Sequence, residues 1–193
     1  MAGTSAAGSP RELGQGQDTS NFSAQSATFK GIADAALTGL NPELRRLSIT
    51  ESRVSDRGLA SIAGLAKLQY LTLSATPVGN AGLEHLRGLT RLKSLVLDDT
   101  AVTDAGLECL ASMHGLRTLS LNNCQITDVG LNHLKRVKRF EWLYLNGTAI
   151  TDTGLSHLKG LKELRFLSIM HTKVTAEGVD KLQRELPRTR VRH

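Results

Sequence analysis

One spacing constrains this chain more than any other: from Leu44 onward the sequence repeats every 24 residues. Glycine recurs at Gly58, Gly82, Gly106, Gly130, Gly154 and Gly178, each followed by Leu or Val. Alternating apolar segments begin at Leu44, Leu68, Leu92, Leu116, Phe140 and Leu164. No insertion interrupts these six units. A unit of this length is one supersecondary element that cannot bury its apolar face alone, so the units must stack.

The unit at 116–139, LRTLSLNNCQITDVGLNHLKRVKR, shows how each should fold. LRTLSL alternates and reads as a short strand with Leu119 and Leu121 inward. Ile126 closes a turn. Thr127 and Asp128 read as helix-start signals, a hydroxyl for free N–H groups and a carboxylate near the positive end of the helix dipole. Leu131, Leu134 and Val137 then recur at helical spacing. A further series, Ser52, Thr76, Thr100, Cys124, Thr148 and Thr172, follows the strands. A hydroxyl there can bond loop backbone between neighbouring units.

The units resemble leucine-rich repeats, with L-x-x-L-x-L followed by T-x-[VI]-T-D-x-G-L-x-x-L. The resemblance covers residues 44–187. Its TDxGL helix start is similar to that of the cysteine-containing repeats of F-box proteins. Five of the six units instead carry Ser or Thr in the Cys position, as in bacterial proteins built from such repeats. The resemblance implies an α/β leucine-rich-repeat solenoid: a curved parallel sheet of about six strands on the concave face, short helices on the convex face. It also implies protein binding on the concave side.

The domain reading follows. Residues 1–27, rich in Gly, Ala, Ser, Gln and Thr, read as a disordered segment. Residues 28–43 read as an N-terminal helical cap, because GIADAALTGL mimics the helical half of a unit. Residues 188–193 read as a basic tail or a rudimentary seventh strand, since Val191 falls 24 residues after Leu167. Arg188, Arg190 and Arg192 would blunt that edge. No apolar run approaches the ~18 residues of a membrane span. MAGTSAAGSPRELGQGQ lacks the form of a secretory signal, so the localisation read from the chain is cytoplasmic. Two cysteines make no disulfide framework.

Register then assigns the outward positions of the strands. Tyr70, Trp142, Tyr144 and Phe166 face the concave side, as do Met170, Asn122 and Asn146. The chain has one Trp and two Tyr, and all three lie there. Such rings bury much area at little rotamer entropy, so they read as partner-binding anchors. Charged rims complete the groove: Arg45, Arg46, Lys93, Arg117 and Arg165 at strand starts, Asp98 and Asp99 at strand ends. Basic KRVKR at 135–139 has no interleaved aromatic and no nucleic-acid motif, which argues against nucleic acid. His85, His133, His157 and Cys109 share one helical position, but an even column does not enclose a tetrahedral ion. No nucleophile elbow, phosphate loop or metalloprotease motif is present. The sequence thus predicts a monomeric, non-catalytic scaffold for another protein, with no metal and no cofactor. Three alternatives are an adaptor resembling F-box repeat proteins, a purely structural solenoid, and a basic-surface binder of nucleic acid or anionic lipid.

Overall fold

The computed structural model describes residues 25–193. Eight parallel strands lie in sequence order in one open, curved sheet: β1 (Ser26–Lys30), β2 (Arg46–Thr50), β3 (Tyr70–Thr72), β4 (Ser94–Val96), β5 (Thr118–Ser120), β6 (Trp142–Tyr144), β7 (Phe166–Ser168) and β8 (Arg190–Arg192). From β2 to β8 every Cα pair is 24 residues apart, as in Leu71 with Leu95 and Leu119 with Leu143. Helices α1 (Asp56–Leu59), α2 (Asn80–Glu84), α3 (Asp128–Leu134), α4 (Asp152–Leu155) and α5 (Ala176–Glu185) return the chain behind the sheet. The third repeat uses a 3-10 segment, Asp104–Ser112, instead. The fold is a leucine-rich-repeat solenoid.

The core is a set of apolar files running through the stack. Leu47, Leu71, Leu95, Leu119, Leu143 and Leu167 form one file, and Leu83, Leu107, Leu131 and Leu155 part of another, all essentially buried. Phe140 is the largest fully buried side chain.

The N-terminal end differs from the sequence reading. The segment expected to form a helical cap carries a strand, β1, before a single 3-10 turn at Asp34–Leu37. Residues 26–27, assigned above to the disordered segment, belong to that strand; the rest of that expectation, residues 1–24, lies outside the described residues. Ala27 is buried and the five residues of β1 pair with β2, which satisfies backbone groups that β2 would otherwise leave open. Gly39 at φ 71° and Pro42 stop the cap after one turn. At the other end the segment around Val191 forms the short further strand, β8, that its register with Leu167 allows, and with β1 the sheet has eight strands.

The repeats are joined by side chains as well as by strands. Asp128 accepts from Thr151 N (2.8 Å) and Thr151 Oγ1 (2.6 Å) of the next repeat. Asp34 with Ser55, Asp104 with Thr127 and Asp152 with Thr175 do the same. Asn80 substitutes for Asp in one repeat: Oδ1 accepts from Thr103 N and Nδ2 donates to Thr103 Oγ1. The acidic residue is therefore an inter-repeat tie rather than only a local helix-start charge. Thr127 does also cap its own helix, accepting from Val129 N at 3.2 Å. The hydroxyl series behaves the opposite way to expectation. Thr76, Thr100, Thr148 and Thr172 donate to the carbonyl three residues back in their own unit. Three of that series also reach across: Ser52 Oγ accepts from Ile32 N, Cys124 Sγ donates to Leu97 O at 3.0 Å, and Thr100 Oγ1 lies 3.5 Å from Cys124 Sγ.

The ties predict an acid response. The Thr175 backbone N–H, then its hydroxyl, holds the Asp152 carboxyl below its ordinary value of 3.8. A carboxyl whose folded value is depressed contributes stability that is full above the unfolded value and is lost as pH falls through the folded one. Asn is already tolerated at the equivalent Asn80. Asp152→Asn should therefore keep the fold while flattening the fall in urea midpoint between about pH 5 and pH 2. A midpoint curve that stays parallel to wild type would contradict this account.

Candidate functional site

The alternation along each strand places three files of side chains on the concave face. Nearest the strand starts run Arg46, Tyr70, Ser94, Thr118, Trp142, Phe166 and Arg190. The middle file contains Val96, Ser120, Tyr144 and Ser168, and the last contains Asp98, Asn122, Asn146 and Met170. The partners inward of Trp142 and Tyr144, Leu143 and Leu145, are fully buried.

Trp142 is 37% exposed, and the other large exposed apolar side chain among the described residues, Val129, stands apart on α3. Trp142 and Phe166 are in-register neighbours on β6 and β7. The rings of Tyr144 and Phe166 lie 5.5 Å apart at 49°, a tilted packing that favours aromatic pairs. These three residues form a contiguous patch. Tyr70 is not part of it: β3 is three strands from β6, about 14 Å away. Its ring instead lies under the Arg46 guanidinium at 4.2 Å, a cation–π contact. Met170 is four residues along from Phe166, about 13 Å down the strand direction, with its backbone N–H bonded to Asn146 Oδ1.

The last file is a continuous hydrogen-bonded chain. Ser120 Oγ, Asn122 N and Asn122 Nδ2 donate to Asp98. Asn122 Oδ1 accepts from Asn146 N and Nδ2, and Asn146 Oδ1 accepts from Ser168 Oγ and Met170 N. Asp98, Asn122 and Asn146 thus bind one another, and what they present is a fixed polar floor. Asp99 sits one residue on, at φ 56°, and accepts from Asn123 Nδ2. It belongs to a series, Glu51, Ala75, Asp99, Asn123, Gly147 and His171, with φ between 45° and 66° after each of β2 to β7. This left-handed residue turns the chain from the sheet toward the convex side.

On the opposite rim the strand-start charges are unevenly partnered. Arg45 and Lys93 are exposed. Glu141, the one acid in that file, is 7% exposed. It is paired with Arg117 at 2.6 Å on one side and Arg165 at 3.6 Å on the other. Register places Glu141 in the same strand-start row as Arg117 and Arg165, the single acid in an otherwise basic or neutral file; its bridging of the two is visible only in the stacked fold.

The His and Cys column does not converge. Cys109 is fully buried and donates to Gly106 O, whereas His85 is exposed and His133 and His157 are half-buried. Burial pushes the Cys109 thiol up to about 12 and also raises Cys124. Neither is a thiolate at neutral pH.

The architecture and the side-chain ties define a repeat solenoid with a pre-formed concave surface. Residues 89–111 and 113–134 each match the family model described as Leucine Rich repeat. The chain carries leucine-rich repeats. It is similar to the solved structure of internalin C2 from Listeria monocytogenes, with 22% identity, 79% of this chain and 73% of that one covered, and a TM-score of 0.61. An LRR protein of Leptospira interrogans aligns over 88% of this chain and 48% of its own, at 14% identity and TM-score 0.62. A second Listeria monocytogenes internalin aligns over 79% and 54%, at 20% identity and TM-score 0.50. The chain therefore spans about half the length of the latter two. No curated protein sequence matches it. No helix among the described residues is long and apolar enough to cross a membrane.

Proposed function

We propose that this protein is a non-catalytic scaffold that takes a partner protein on its concave face, anchored by Trp142, Tyr144 and Phe166. The observation that supports the reading is the placement of the aromatics. The single Trp and both Tyr project outward from the sheet, and Trp142, Tyr144 and Phe166 are neighbours, while among the described residues the fully buried aromatic ring is Phe140. A rigid surface whose rings are already packed binds with little ordering loss.

Affinity capture with Trp142→Ala/Tyr144→Ala tests the proposal. Losing two adjacent hot-spot rings should weaken the partner by about 3 kcal/mol or more, roughly 100-fold. The melting temperature should change little, because both rings lie outside the buried files. Retention of every captured partner by the folded variant would refute the proposal. Enrichment of ubiquitin-ligase subunits among the proteins captured by the wild type would instead favour the adaptor role.

A further inference from the structure

The two edges of the sheet carry opposite charge. The six turns that lead from helix back to strand, at 63–69, 87–93, 111–117, 135–141, 159–165 and 183–189, hold fourteen Lys and Arg against three Glu. The six turns from strand to helix, at 50–56, 74–80, 98–104, 122–128, 146–152 and 170–176, hold seven Asp and Glu against two Lys and Arg. The acidic edge is consumed internally, since Asp56, Asp104, Asp128 and Asp152 accept from the next repeat. The basic edge is not. Among the described residues its ion pairs are those with Glu43, Glu84 and Glu141. Most of its charge therefore faces solvent uncompensated and will steer an anionic partner to that side.

The aromatic patch sits at the end of this edge. Glu141 holds the bases of Arg117 and Arg165, yet these side chains remain 51% and 73% exposed. A guanidinium has five donors, so most of theirs stay free while Glu141 fixes their spacing. With Arg188 and Lys162 they line an open groove of about 630 Å³. On the far side of Phe166, Arg190 and Arg192 line a second open space of about 600 Å³. Trp142 and Phe166 thus form an apolar step with arginines on two flanks.

Resting on the concave-face reading above, we propose that the partner presents an acidic peptide segment, with an aromatic or aliphatic side chain on Trp142 and Phe166 and carboxylates on the flanking arginines. Arg117 and Arg165 converge on Glu141 from the strands on either side of it, so their free donors face the same stretch of a bound segment. The planar fork of Arg matches a carboxylate with two parallel hydrogen bonds. The geometry favours peptide over single-stranded nucleic acid. Tyr144 and Phe166 pack against each other, leaving Trp142 without the row of open ring faces that successive bases need.

Fluorescence anisotropy of the full chain with labelled poly-L-glutamate and, separately, labelled poly-uridylate distinguishes these. Two variants remove equal charge and spare Glu141's partners: Arg188→Gln/Arg190→Gln at the site, and Arg57→Gln/Arg91→Gln away from it. The expected result is poly-glutamate binding that weakens at least tenfold in the first variant and less than threefold in the second, with poly-uridylate bound no more tightly. Equal losses in the two variants, tighter binding of poly-uridylate, or no binding of poly-glutamate would overturn the proposal. If any of these occurred while Trp142→Ala/Tyr144→Ala still lost partner capture, the acidic-peptide inference alone would fall and the concave-face reading would stand.

Discussion

Gly130→Ala is expected to destabilise the protein by about 3 kcal/mol, although it adds one methyl group to a helix that would ordinarily welcome it. The periodic glycine lies where the helix of one repeat crosses the acidic tie of the repeat before. At Gly82 a Cβ would stand 2.6 Å from Asp56 Oδ1 and 3.1 Å from Leu59 Cδ1 and Val78 Cγ1. At Gly130 it would press on Asp104 Oδ1 and Leu107. The Asp104 carboxylate cannot withdraw without releasing the N–H and hydroxyl of Thr127. Overpacking and a broken inter-repeat tie therefore come together. Gly64→Ala is the matched control: nothing lies within 4 Å of its Cβ position, and it should shift stability by about 0.5 kcal/mol or less. Urea unfolding of the two variants compares them directly, and equal midpoints would remove the steric explanation for the glycine series.

Phe140→Ala should lose about 4 kcal/mol, the scale of an emptied aromatic site in a close-packed core. Phe140→Leu should lose only about 1 kcal/mol, because Leu44, Leu68, Leu92, Leu116 and Leu164 fill the same position in the other repeats. A stacked array is held by nearest-neighbour interfaces, so damage in one repeat need not spread evenly. Trp142, in the damaged repeat itself, reports on that half of the molecule. In Phe140→Ala its fluorescence should change at lower denaturant than the far-ultraviolet circular dichroism, which averages over all repeats. Coincident transitions would mean that the solenoid unfolds as one unit despite its linear build.

The concave face was legible because two periods combine. The 24-residue repeat fixes which segments pair, and alternation within a strand fixes which residues point out, so Trp142, Tyr144 and Phe166 could be placed from the chain alone. What stayed hidden depends on stacking. Thr127 and Asp128 are adjacent in sequence and read as a local helix start; only the neighbouring repeat brings Asp128 to Thr151. Asn122 and Asn146 read as free outward amides, yet residues at the same position in successive repeats lie one strand spacing apart and satisfy each other. β1 escaped notice because Ser26 pairs with Arg46, 20 residues on rather than 24, and the strand contributes just Ala27 and Phe29 to the apolar pattern.

The two side-chain ladders stop in the same repeat. Where earlier repeats have Asp or Asn to receive the next one, the last has Ala176, and where the floor has Asn122 and Asn146 it has Met170. Length is accordingly an adjustable quantity in the middle of this molecule but not at its far end. A duplicated copy of 128–151 would arrive with donors and acceptors that already fit on both sides. A further copy added behind α5 would meet a surface with no carboxylate to greet its threonine until Ala176 is changed to Asp.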